Sequence, residues 1–399
     1  MNGITRRGFV GLCAASGMAA SGGAAARAGE RAGEGAGAGR QGSGPGGGGS
    51  APLVDFVGDG IPHSPADYAR LLARLTSEQG VAADEYSRGG AVTALEERFA
   101  RLLGKETALF MPSGTLANHL AVRALAGPRR RVIVQEISHL YNDSGDCAQQ
   151  LSQLNLVPLA SGRATLTWDE VAGVLDRARS GRVATAVGAI SIESPVRRLR
   201  NEVVDFAELQ RISTEARSRG IGLHLDGARL LVAAAYSGRR PEEYAALFDT
   251  VYVSLWKCFN AAGGAVLAGP KALLADLHHV RRMFGGALWE AWPYALVASH
   301  YAEGYLERLT AAVKTCEDFL SILVADGRFR VERVPGGTSW FRLVPLGADL
   351  PAFREKLRAR GIVLPGPEGD GFWLRVNETL NRSAPEALAQ AFRDAAPAR

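Results

Sequence analysis

From about Leu53 onward, short β-branched apolar runs alternate with longer stretches whose apolar residues recur at helical spacing, and this rhythm constrains the fold most. Strand-like segments fall at Thr107–Met111, Arg131–Gln135, Val183–Ile192, Ile221–Leu225, Thr250–Leu255 and Ala265–Ala268. Helix-like segments lie between or before them at Ala91–Leu103, Thr115–Ala126, Trp168–Ala178 and Val204–Arg219. Strands alternating with helices call for a mainly parallel sheet covered by helices on both faces, an α/β fold. A long helical stretch, Ala291–Leu323, closes this region. Past it the pattern shifts to a shorter α+β arrangement, with segments at Arg328–Val344, Leu350–Arg360, Ile362–Leu364, Phe372–Val376 and Pro385–Ala395. The expected division is a large domain over residues 53–300 and a small C-terminal domain over 301–399.

The start of the chain follows another logic. Thr5-Arg6-Arg7-Gly8-Phe9-Val10 places an arginine pair before a weakly apolar run, with small residues up to Ala28. Residues 1–28 therefore read as a twin-arginine export signal directing the protein to the periplasm or outside the cell. Residues 29–52 are Gly, Ala, Arg, Glu and Ser with almost nothing to bury, which suits a linker. The net charge is +5, and three arginines of the acid-free leader contribute to it. No basic run is interleaved with aromatics, which argues against nucleic acid, and no stretch of the body is long and apolar enough to span a membrane. The cysteines lack metal-ligand spacing, so no metal is expected.

The candidate chemistry sits where strands end. Lys257 closes the run Thr250-Val251-Tyr252-Val253-Ser254-Leu255-Trp256-Lys257. A strand-end lysine ordinarily points to water, but one held in an apolar wall has a lowered pKa and a neutral amine ready for imine formation. Asp226 follows the strand Ile221–Leu225, at the edge where parallel strands gather ligands. A carboxylate there can be a helix cap; it can also keep a pyridine nitrogen protonated, so that the ring accepts the electrons of a breaking bond. Ser113-Gly114-Thr115 forms a strand-to-helix turn, a plain cap or an anion site for a cofactor phosphate. His139 closes the Arg131–Ile137 run, where an imidazole could stack on a ring or shuttle protons. Arg375, in the strand Phe372–Val376, offers a planar fork to a carboxylate or to a structural ion pair. Together these residues form the set that a pyridoxal 5′-phosphate site requires.

In this order they resemble the threonine aldolase/β-eliminating lyase family of fold-type I pyridoxal phosphate enzymes, and specifically its low-specificity threonine aldolase branch. The resemblance runs from about Val54 to Arg375. It is carried by Asp84-Glu85-Tyr86, Gly89-Gly90, Leu102–Glu106, Pro112–Thr115, Ser138-His139, Leu223–Arg229, Val251–Ser254 leading to Lys257, Met283–Gly286 and Trp292–Tyr294. It implies that Lys257 carries the imine, that Asp226 faces the pyridine nitrogen and that Ser113, Gly114 and Thr115 hold the phosphate. His139 would stack on the ring, Arg229 would lie beside cofactor and substrate, and Arg375 would bind the substrate carboxylate. The activity implied is cleavage of a β-hydroxy-α-amino acid to glycine and an aldehyde by a homodimer or homotetramer. The alternatives are β-elimination to a keto acid and ammonia, and a non-catalytic scaffold of the same fold. Four departures fall around the implied pocket: Gly58-Asp59-Gly60 where the family has Ser-Asp-Thr, Ser87-Arg88 for a glycine and an acid, Leu199-Arg200-Asn201 for a glycine-rich turn, and Cys258 for a glycine.

Overall fold

The computed structural model describes residues 54–398; the segments read as an export signal, 1–28, and as a linker, 29–52, lie outside the described residues. The twelve strands are β1 (Val54–Asp55), β2 (Thr107–Met111), β3 (Arg131–Gln135), β4 (Asn155–Leu159), β5 (Val187–Glu193), β6 (Gly222–Asp226), β7 (Thr250–Ser254), β8 (Ala265–Gly269), β9 (Phe329–Arg333), β10 (Trp340–Pro345), β11 (Ile362–Val363) and β12 (Phe372–Arg375). Seven of them make the central sheet, in the order β2-β8-β7-β6-β5-β3-β4. Only β8 runs against the rest, antiparallel to both β2 and β7. The α/β fold with a mainly parallel sheet is as the sequence implied.

Both faces of this sheet are buried, as parallel sheets require. Along β3, Ile133 joins one apolar cluster while Val132 and Val134 join another; along β7, Val251 and Val253 face opposite to Tyr252. That is period-two alternation with apolar residues on both sides. The helices Gly90–Leu102, Trp168–Ser180 and Phe206–Ser218 supply the first cluster, and helix Gly114–Ala126 covers the opposite face.

Several boundaries moved. β5 begins at Val187 instead of Val183, because Val183 is a lone exposed valine. The Ala291–Leu323 stretch is two helices, Trp292–Ala302 and Tyr305–Asp326, broken where Gly304 takes φ +61°. Strand β4 escaped the sequence reading because it contains Pro158, a residue tolerated here since β4 is the sheet's edge.

A second, three-stranded antiparallel sheet, β12-β10-β9, packs with helices Tyr305–Asp326, Leu350–Arg358 and Pro385–Ala395 around another apolar core. The first described residues also belong there. β1 pairs in parallel with β11, and Val54 and Phe56 are fully buried among Phe319, Phe341 and Phe392. This docking brings the segment that follows, Gly58-Asp59-Gly60, to the edge of the central sheet.

Candidate active site

The loops after β2, β3, β5, β6 and β7 all emerge at one edge of the sheet, because these strands run the same way. Ligands bind at such edges in open α/β sheets. Asp226 is the last residue of β6 and lies in register with Glu193, the last of β5. Its Oδ2 accepts from Asn118 Nδ2 at 2.6 Å and its Oδ1 from the amide of Ala228 at 3.2 Å. Asn118 Oδ1 meets His224 Nε2 at 2.8 Å, and His224 Nδ1 meets Thr250 Oγ1 at 2.8 Å. Burial pulls the His224 pKa down to about 4, so the ring is neutral and can donate through one nitrogen while accepting at the other. This chain of contacts fixes the Asp226 carboxylate at the strand edge.

β7 stops at Ser254, and Lys257 lies on the single helical turn Leu255–Cys258 that follows, not on the strand itself. The lysine is buried. Burial, aided by the positive charge of Arg229, lowers its pKa to about 8 against the opposing pull of Asp226, Asp59 and Glu193. About a tenth of its amine is therefore neutral at pH 7, far more than in an ordinary lysine, and the neutral form is the one imine formation demands. Its loop is closed at the base: Leu255 donates to the carbonyl of Gly264 at 3.1 Å, and Ser254 pairs with Ala265. Trp256 stands beside it, 52% exposed, with Lys257 Nζ 5.3 Å from the ring centroid.

Ser113 caps helix Gly114–Ala126, accepting from Leu116 N at 3.2 Å. Ser113, Thr115 and Leu116 line an open depression together with Phe284 and Gly286. Gly114 is required by packing: a Cβ there would lie 2.0 Å from the Tyr252 hydroxyl. The same helix carries Asn118, about 6 Å further along its axis at 1.5 Å per residue. One helix thus joins the anion cradle to the support of Asp226.

His139 opens the short helix that follows β3. Its backbone amide donates to Glu193 Oε2 at 2.6 Å, and its Nδ1 is buried with no partner. Burial lowers its pKa against the opposing charge of Asp226, which keeps the imidazole neutral. Glu193, absent from the sequence-based site, holds this loop: its other oxygen accepts from Arg197 N at 2.8 Å. Burial and the neighbouring Asp226 raise its carboxyl to about 7. The strand-end position of Glu193 beside Asp226 was the available signal.

The two arginines converge on Asp59, the one position of Gly58-Asp59-Gly60 that agrees with the family's Ser-Asp-Thr and one the sequence reading had given no role. Arg229 grips Asp59 through both oxygens, Nε–Oδ1 at 2.9 Å and Nη2–Oδ2 at 2.8 Å. Arg375 Nη1 lies 3.1 Å from Asp59 Oδ2, and Trp340 covers the Arg375 guanidinium at 4.2 Å. Burial would raise the Asp59 carboxyl, but the two guanidinium charges outweigh it and hold the group well below the usual carboxylate range.

The other departures have local reasons. Ser87 sits at φ +58°, and its hydroxyl contacts both the carbonyl and the amide of Leu288 at 3.2 Å. Arg200 and Asn201 also take positive φ; Arg200 stacks 4.1 Å from Trp373, and Asn201 Nδ2 donates to Ser339 Oγ at 3.0 Å. Cys258 is simply buried.

Comparison with known proteins decides the kinship. A family model described as Beta-eliminating lyase matches residues 71–327. The chain belongs to that family. A low-specificity L-threonine aldolase from Saccharomyces cerevisiae is 32% identical over 232 residues, covering 56% of this chain and 59% of its own. An alanine racemase from Cochliobolus carbonum is 25% identical over 323 residues, covering 78% of this chain and 80% of its own. A crystal structure from Exiguobacterium sp. 255-15, provisionally assigned as an aromatic amino acid β-eliminating lyase/threonine aldolase, superposes with a TM-score of 0.71 at 25% identity, covering 86% of this chain and 98% of that one. The chain spans about three-fifths of the length of the fungal threonine aldolases it matches.

The family implies pyridoxal 5′-phosphate, and the residues fit it. A buried amine of lowered pKa, a fixed carboxylate on the next strand, a helix N-terminus carrying the Ser113 and Thr115 hydroxyls and a buried imidazole nitrogen without a partner are the groups this cofactor engages.

Proposed function

We propose that the protein is a pyridoxal phosphate-dependent lyase that cleaves the Cα–Cβ bond of a β-hydroxy-α-amino acid, giving glycine and an aldehyde. The observation that carries this reading is the convergence on one sheet edge of Lys257, Asp226 and His139, with Arg229 and Arg375 joined through Asp59 beside them. Lys257 would hold the cofactor, Asp226 would face its ring nitrogen, and Ser113, Gly114 and Thr115 would receive its phosphate. The cofactor supplies an electron-accepting ring for the bond broken at Cα.

The remaining work falls to side chains. The in-plane edge of Arg375 takes the substrate carboxylate and fixes the amino acid's orientation. His139 is neutral and has an open nitrogen, so it accepts the proton of the β-hydroxyl, directly or through a water, as the carbon–carbon bond opens. Glu193 acts one step back, pinning the His139 loop by its backbone. Lys257, buried with its pKa lowered to about 8, would supply the amine that holds the cofactor, part of it neutral at working pH.

The test is to purify the protein with pyridoxal phosphate, record the visible band and any borohydride-stable adduct on Lys257, and then assay 3-hydroxy amino acids for aldehyde and for keto acid. Band, adduct and aldehyde are expected. Keto acid without aldehyde would make the enzyme a β-eliminating lyase; no band and no adduct would leave a scaffold. Sedimentation should show a homodimer or homotetramer.

A further inference from the structure

Two guanidinium groups share one carboxylate at this site. Arg229, Asp59 and Arg375 have side chains 5%, 7% and 17% exposed, so these charges meet largely out of water. One positive charge is left over. Arg375 Nε is buried with no partner, and Trp340 blocks one face of the same guanidinium. The cluster is therefore shaped for one further acceptor, approaching in the guanidinium plane.

Asp59 has no freedom to step aside. Asn377 Nδ2 donates to the carbonyls of Asp55 and Gly58, both at 2.8 Å, and Asp55 Oδ1 accepts from the amides of Val57 and Gly58 at 2.7 and 3.1 Å. Beyond it, Asn260 Oδ1 accepts from Ile61 N at 2.8 Å. Gly60 is packed so closely that a Cβ would lie 2.2 Å from Asn260 Oδ1 and 2.8 Å from the Lys257 carbonyl. The carboxylate is held from both sides by its own backbone.

We propose that Asp59 determines specificity: as a fixed counter-charge it leaves the arginine pair a single positive charge, so the site takes amino acids bearing one carboxylate and rejects those whose side chain carries a second. This rests on the reading of Arg375 as the ligand of the substrate carboxylate. With the α-carboxylate on Arg375, a carboxylate on Cβ would lie within a few bonds of it, in the same buried space. It would face Asp59, with the strand-end carboxylate of Asp226 close by and no arginine charge left to meet it. Like charges brought together out of water discriminate strongly between ligands.

The test titrates the cofactor-loaded protein and its Asp59→Asn variant with L-threonine and with 3-hydroxyaspartate, reading binding by visible absorbance and by calorimetry. The wild type is expected to bind threonine at least about tenfold more tightly than the dicarboxylate. The variant, which keeps the shape and loses the charge, is expected to bring that ratio to near unity or invert it. Equal binding by the wild type overturns the proposal even if the variant does not fold, and an unchanged ratio in a folded variant overturns it as well. A missing visible band in the wild type would remove the cofactor reading first and this proposal with it; a normal band with no discrimination removes this proposal alone.

Discussion

Lys257 is the residue on which most turns, and its environment makes a measurable claim. A lysine of pKa about 8 is half neutral at that pH, whereas an ordinary lysine is almost wholly charged there. The neutral amine is the form that attacks an aldehyde, so the rate of reloading cofactor-stripped protein should rise with pH through about 8 and then level off. Visible absorbance followed over a pH series checks this; a rate still climbing steeply at pH 10 would mean the burial has no such effect. Gly60 gives a second residue-scale prediction. Gly60→Ala forces a methyl against Asn260 Oδ1 and the Lys257 carbonyl, and overpacking of this kind costs about 1–3 kcal/mol. Denaturant unfolding should show the loss, with weaker retention of the cofactor because the lysine loop is what must move. At this scale the sequence was partly legible. Lys257, Asp226 and the Ser113 turn stood out because strand ends can be read from patterning. Asp59 did not, since nothing local links an acid near the start of the chain to two arginines 170 and 316 positions away. Glu193 was hidden by the same cause, being meaningful only once β5 is known to lie beside β6.

Among the elements, helix Gly114–Ala126 does the most, since its first turn is the proposed anion cradle and its second carries the prop of Asp226. Asn118→Ala would leave Asp226 Oδ2 and His224 Nε2 without their partner in a buried setting. A group so orphaned costs about 1–3 kcal/mol, so the variant should be less stable by that order in denaturant and should bind the cofactor more weakly. Unchanged affinity would show that Asp226 needs no such prop. Element assignment followed apolar periodicity closely for β2, β3 and helix Pro385–Ala395, whose bounds the structure repeats. It slipped where one residue misleads: the exposed Val183 lengthened a strand, and Pro158 concealed another.

For the whole molecule, the first described residues close the architecture. Val54 and Phe56 lie in the C-terminal core, β1 pairs with β11, and the next few residues deliver Asp59 to an arginine from β6's following loop and another from β12. A chain starting at residue 64 should therefore lose both stability and substrate binding. Burial of Phe56 alone is worth roughly 1.5–3 kcal/mol. A chain starting at residue 53 should keep both, as thermal melts and ligand titrations would show. The twin-arginine motif leads to a separate expectation, that Arg6→Lys with Arg7→Lys leaves the protein in the cytoplasm, which fractionation would reveal. The mainly parallel α/β class was legible because alternation of strand and helix admits few arrangements; the strand order and the return of the N-terminal segment to the C-terminal core were not, since two-residue strands have no periodicity to read.

The antiparallel strand β8 has a consequence for descent. Because β7 and β8 are neighbours in the sheet, the ten residues from Leu255 to Gly264 leave and re-enter the same patch of framework. A change in the path of that span passes no register shift to the strands around it. Cys258 and the exposed Trp256 both lie inside this span, on either side of the amine. A scaffold with this property can change the wall around its lysine by drift in a single short span.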